Sequence, residues 1–138
     1  MSESDSKAVV GRLIDEVLNG GNLDLIDELY SAEMAAGARR WIEPFRVAFP
    51  DVEMETIELL AEGDRVAGRF RCSGSNLGPW RGGEPTGKRM REIDEVYFFT
   101  VVDGRITEAW GLEDTVQACQ ATRALGPLRS RPPAASRR

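Results

Sequence analysis

Val9, Val10, Leu13, Ile14, Val17 and Leu18 recur at helical spacing, opposed by Arg12, Asp15 and Glu16, and predict an amphipathic first helix. Asn19-Gly20-Gly21 ends it, since glycine tolerates the left-handed backbone common at helix C-termini. Leu23, Ile26, Leu29 and Tyr30 define a short second helix. A third is expected over residues 36–49, bent or interrupted at Pro44, with Trp41, Phe45 and Phe49 on one face. After Pro50 the period changes to two. Val52, Met54 and Thr56 alternate with Glu53 and Glu55, and Glu62-Gly63-Asp64 turns the chain into a strand over residues 66–72. Residues 73–87, rich in glycine and proline, form a long loop. A strand over 89–102 and its return over 105–111 flank Asp103-Gly104, a strong hairpin signal, and a helix over 115–125 stops at Gly126-Pro127. Helices, then an antiparallel meander, then one short C-terminal helix make an α+β fold, with a curled sheet wrapped around the helices.

A chain of 138 residues suits one domain that buries its core without disulfides or metals. We place it at residues 7–127, between a flexible N-terminus (1–6) and a disordered Arg/Pro-rich tail (128–138). The net charge of −5 includes four arginines and no acid in the last ten residues, so the body is more acidic than the whole. An acidic body argues against nucleic acid as the main partner, although the tail itself is compatible with a polyanion. No apolar run is long enough to span a membrane and the start of the chain is polar, so a cytoplasmic protein is expected.

The chain has no histidine, which removes Ser-His and Cys-His nucleophiles and histidine metal sites. Cys72 and Cys119 lack metal-ligand spacing and read as reduced core thiols, so no metal site is expected. Chemistry here must use carboxylates, tyrosine, arginine, backbone groups or the substrate itself.

Five segments occur together in register: Asn19-Gly20-Gly21-Asn22-Leu23-Asp24, Ala48-Phe49-Pro50-Asp51, Glu62-Gly63-Asp64-Arg65-Val66, Pro85-Thr86-Gly87-Lys88 and Asp103-Gly104-Arg105-Ile106-Thr107-Glu108-Ala109-Trp110. Over residues 7–126 the chain resembles the SnoaL-like polyketide cyclases of the nuclear-transport-factor and ketosteroid-isomerase superfamily. The resemblance implies a cone-shaped α+β barrel with an apolar pocket between sheet and helices. It also places the cyclases' acid/base Asp at Gly111 and their histidines at Tyr97 and Ala109, so none of those groups is matched. A hydroxylase branch of the family resembles the chain better. There a reduced aromatic polyketide supplies the electrons, O₂ is co-substrate, no other cofactor is used, and arginines or hydrogen-bond donors stabilise charge. A reductase that delivers the reduced substrate and a homodimer are the expected partners. Ring closure by an aldol step, and ligand binding without catalysis, are the alternatives. The Asp-Arg-Asp set used by related folds to open epoxides cannot be assembled from alternation.

Alternation puts Glu95, Tyr97, Phe99 and Val101 on one strand face, and the resemblance makes Tyr97, and hence Glu95, a pocket residue. Glu95 is either an acid/base of raised pKa or an exposed strand-end carboxylate. Tyr97 either orients a phenol or quinone oxygen or is a core ring with a satisfied hydroxyl. Arg65, Arg69 and Arg71 share a face; if inward, Arg69 is a counter-charge for an enolate or quinol anion, and if outward, a solvated side chain. Trp41, Phe45, Phe49 and Phe99 are core or pocket lining, Trp80 caps a planar ligand or anchors its loop, and Glu113 stands at the barrel mouth. Asp114 serves more simply as a helix N-cap.

Overall fold

The computed structural model describes residues 2–114. The helix expected over 115–125, Cys119 and the tail expected at 128–138 lie outside the described residues.

The first helix, α1 (Glu3–Arg12), begins earlier than its apolar stripe. Ser2 Oγ accepts the Asp5 N–H and the Asp5 carboxylate accepts the Ser2 N–H, both at 3.0 Å, a reciprocal cap that satisfies two otherwise unpaired donors. Glu3 then accepts the Gly63 N–H at 2.9 Å, tying this turn to the first β-hairpin. The segment expected to be flexible at residues 1–6 is therefore helical from Glu3. The helix continues through Leu13–Asn19 in a wider, π-type turn that buries Leu13, Ile14, Val17 and Leu18. Gly21 closes it at φ +76°, with the Arg46 guanidinium lying where a side chain would stand.

Asn19 fastens that helix end to the sheet. Its amide donates to the Met54 carbonyl at 2.9 Å and accepts the Met54 N–H at 2.7 Å. Asn19→Ala should therefore cost about 1–3 kcal/mol, read as a lower urea midpoint at unchanged slope.

A single 3₁₀ turn (Leu23–Leu25) leads into α2 (Ile26–Leu29), and α3 (Ala32–Ala48) runs unbroken through Pro44. Pro44 removes only its own bond to the Arg40 carbonyl. The helix starts four residues ahead of the expected Ala36, which brings Glu33 and Met34 onto it.

Four antiparallel strands follow, β1 (Glu53–Glu62), β2 (Arg65–Ser75), β3 (Arg89–Val102) and β4 (Arg105–Glu113), paired in chain order. Register shifts at Thr56/Glu58, Cys72/Gly74 and Thr100/Val101 bend the sheet around the helices. The expected α+β cone is present, with a sheet that is open among the described residues, where β1 and β4 are its outer strands. The core fills the concave side, where Val66, Phe70 and Cys72 of β2 and Ile93, Phe99 and Val101 of β3 meet the helices. On the convex side Val96, Phe98, Val102, Trp110 and Leu112 are 38–63% exposed.

The 76–88 loop is organised by Asn76, which is fully buried. Its side chain donates to the Gly78 carbonyl and accepts from both the backbone and the hydroxyl of Thr86. Among the described residues no helix is long and apolar enough to cross a membrane.

Candidate active site

Three consecutive inward positions of β3 build the site. Tyr97 Oη donates to Glu95 Oε1 at 2.8 Å, and the Phe99 ring stacks on Tyr97 at 6.0 Å. Glu95 is 4% exposed. Burial alone favours its neutral form, and the nearby Glu113 charge adds to this; hydrogen bonds from Tyr97 and from Cys72 on β2 act the other way. Burial prevails, and the Glu95 pKa is pushed up to about 7. The same burial and the Glu95 charge raise the pKa of the Tyr97 hydroxyl and the Cys72 thiol, so both keep their protons.

Tyr97 and Phe99 form the inner wall of a cavity of about 750 Å³. Leu13, Ile14 and Leu18 line its helical side, while Met34, Gly37 and Trp41 on α3 face Ala109 and Gly111 on β4. Its polar groups include Glu33 and Arg40, also on α3, and Tyr30, whose hydroxyl pKa is raised by burial. The corner between α2 and α3 is pinned to β4 by the Ser31 N–H on the Ile106 carbonyl at 2.9 Å and by Arg105 Nη1 on the Tyr30 carbonyl at 3.2 Å.

Gly111 shapes this wall. It lies opposite Tyr97 in the β3–β4 register, and a Cβ there would overlap the Tyr97 ring. The position where the resemblance puts the cyclases' Asp is thus filled by the flank of an aromatic ring.

The structure therefore brings Glu95, Tyr97, Phe99 and Trp41 to one place. Phe45, Phe49 and Trp80 pack with one another at 5.3–5.7 Å in a neighbouring cluster and do not line the cavity. Trp41 touches that cluster through Phe45 at 6.3 Å. Glu113 is inward beside Glu95 in the sheet register and binds Arg81 at 3.3 Å, at the loop rather than in the cavity. Arg69 is corrected: it lies on the convex face, 3.5 Å from Asp94, because Val66, Phe70 and Cys72 at the alternate positions take the inside. It cannot reach a ligand in this cavity.

Sequence reading missed Cys72 as a neighbour of Glu95, and Tyr30, Glu33 and Arg40 as cavity residues. The signal for the last two was the spacing Glu33, Gly37, Arg40 on one helix face, hidden by starting the helix at Ala36. Among the described residues no group of His, Cys, Asp or Glu could hold a metal ion.

An open α+β cone around a cavity of this size, with a buried carboxyl behind its aromatic wall, has the geometry of a small-molecule pocket. Residues 8–122 match the family model of the SnoaL-like polyketide cyclases, and the chain belongs to that family. Similar solved structures include AclR from Streptomyces galilaeus, described as "a putative hydroxylase", at 25% identity and TM-score 0.80, over 93% of this chain and 87% of that one. A protein from Jannaschia sp. CCS1, described as a "Putative SnoaL-like polyketide cyclase", aligns at 24% identity and TM-score 0.81, over 91% and 95%. IdmH from Streptomyces antibioticus, described as "a putative polyketide cyclase", aligns at 24% and 0.71, over 88% and 99%. No curated protein matches the chain.

Proposed function

We propose that the protein is a tailoring enzyme of aromatic polyketide biosynthesis that hydroxylates a reduced polycyclic quinone with O₂. The observation that carries this reading is Tyr97 on the wall of an apolar cavity of about 750 Å³, large enough for a fused-ring ligand, with its hydroxyl bonded to buried Glu95 behind that wall. With its pKa near 7, Glu95 can accept a proton and return it at neutral pH. Tyr97 relays: its oxygen takes the proton of a substrate phenol while its own proton passes to Glu95. The quinol anion so formed gives its electrons to O₂, and a C–O bond forms. The peroxide takes the proton back. Cleavage of the O–O bond, with loss of the hydrogen on the same carbon, releases water. In sum, one quinol and one O₂ give one hydroxyquinone and one H₂O, the substrate supplying both electrons.

The similarity to AclR supports this branch, and the absence of an acid at Gly111 favours it over aldol ring closure. The reading requires a reductase to supply the quinol. A second copy of the chain covering the exposed convex face of the sheet completes the proposed assembly.

The test is mass spectrometry of a chemically reduced anthraquinone-type polyketide incubated with the purified protein under ¹⁸O₂. Protein-dependent gain of one labelled oxygen is the expected result. An isomer of unchanged mass formed from an open-ring precursor, without label, would establish the cyclase reading instead. Ligand bound and recovered unaltered would establish a binding protein.

A further inference from the structure

Glu95 and Glu113 stand directly opposite each other on the inner face of β3 and β4. Opposed side chains in an antiparallel pair have Cβ atoms about 5 Å apart, so two carboxylates here repel unless one is neutral or a cation intervenes. Among the described residues the cation paired with Glu113 is Arg81, whose Nη2 lies 3.3 Å from Glu113 Oε2. Arg81 is held in place by its own loop. The Trp80 ring packs edge-on against both Phe45 and Phe49, each 5.7 Å away, and the guanidinium lies over that indole at 5.1 Å. Trp80 and Gly83 exchange two backbone hydrogen bonds around Arg81, which sits at φ +52°.

We propose that Arg81 and Glu113 are positioning residues through which the 76–88 loop sets the charge state of Glu95. Arg81 partly offsets the Glu113 charge; so offset, Glu113 opposes ionisation of Glu95 less than it would alone, and the relay through Tyr97 is held ready to accept a proton. Departure of Trp80 from its aromatic seat would withdraw Arg81, expose Glu95 to the Glu113 charge and favour its protonated form. Among the described residues, the titratable groups facing Glu95 are Tyr97 on its own strand, Cys72 on β2 and Glu113 on β4. The first two hydrogen-bond to it and keep their own protons, so Glu113 is the variable charge among them. The proposal deepens the acid–base reading of Glu95 given above, and its test does not depend on turnover.

The test is the ¹³C titration of the Glu95 carboxyl in free protein labelled with [δ-¹³C]glutamate, the resonance being assigned by its loss in Glu95→Gln. Arg81→Met should raise the Glu95 midpoint by about half a pH unit or more, and Glu113→Gln should lower it by a similar amount. In the Glu113→Gln background, Arg81→Met should shift the midpoint by less than about 0.2 units, since its route is gone. Arg81→Lys, which keeps the charge, should stay near wild type. A midpoint unmoved by Glu113→Gln overturns the proposal. So does an Arg81→Met shift of the same size with and without Glu113, or an Arg81→Lys shift equal to that of Arg81→Met. Full turnover by Glu95→Gln would remove the acid–base reading and leave the titration result standing.

Discussion

Glu95→Gln is expected to lower turnover by about 10²- to 10⁴-fold, the range that a positioned general acid–base contributes. Glutamine keeps the volume and can still accept the Tyr97 hydrogen bond, so the cavity wall should survive while proton acceptance is lost. Tyr97→Phe, which cuts the relay and leaves the carboxyl buried, should also lower turnover; wild-type rates in both variants would sink the site.

The same substitution carries a stability signature of definite sign. The Glu95 pKa is raised from an ordinary 4.5 to about 7, so the folded protein holds this proton more tightly than the unfolded chain. The stabilisation is complete below about pH 4.5, declines as pH rises, and is gone by about pH 7. The shift corresponds to about 3 kcal/mol, in the sense that burying the ionised carboxylate costs stability above neutrality. Asp5 and Asp51 shift the other way, below the ordinary aspartate range, because their carboxylates accept the backbone N–H of Ser2 and of Ser75, so their contributions are lost only at more acid pH. Urea unfolding of wild type and Glu95→Gln at pH 5 and pH 8 isolates the effect. The variant should gain on wild type between the two, and a constant difference would show that Glu95 is ionised throughout.

Alternation and one hairpin signal were enough to assemble much of this site. Asp94 to Val102 reads as a strand with Glu95, Tyr97 and Phe99 on one face. Asp103-Gly104 marks the return, but its two-residue turn alone would set Gly111 opposite Val96; the register shift at Thr100/Val101, which alternation does not announce, moves Gly111 opposite Tyr97 and Glu113 opposite Glu95. The facing of Arg69 was legible as well, because Val66, Gly68, Phe70 and Cys72 between the arginines are apolar or small. Other features depend on contacts distant in sequence. Trp80 finds Phe45 and Phe49 only because buried Asn76 folds its loop back on itself, and a loop dominated by glycine and proline carries no periodicity to show that. The helical N-terminus rests on a Ser2/Asp5 cap within a segment otherwise polar enough to read as unstructured. The cavity depends on where α3 begins, and the residues ahead of Ala36 gave no apolar face from which to read it.

Gly111→Ala should be far more damaging than adding one methyl group to an edge strand normally is. Glycine in a strand has an entropic cost, and alanine at an ordinary edge position would relieve it. Here the Cβ meets the Tyr97 ring across the strand pair, so either the ring turns out of its seat or the two strands separate. Overpacking of this kind costs about 1–3 kcal/mol. If the ring yields, Tyr97 Oη also leaves Glu95, and turnover should fall together with stability. Gly111→Asp, which restores the acid that the cyclases of the family carry at this position, should fare no better. A charged group would be forced against a buried ring, and ring-closing activity should not appear. The decisive measurement is a double-mutant cycle on unfolding free energy. In a Tyr97→Ala background the space opposite residue 111 is open, so Gly111→Ala should become nearly neutral there, giving a coupling of about 1–3 kcal/mol. Additive losses would mean that the ring does not occupy the site of the missing side chain. In that case the lack of an acid at Gly111 would have to be explained by something other than the seat of Tyr97.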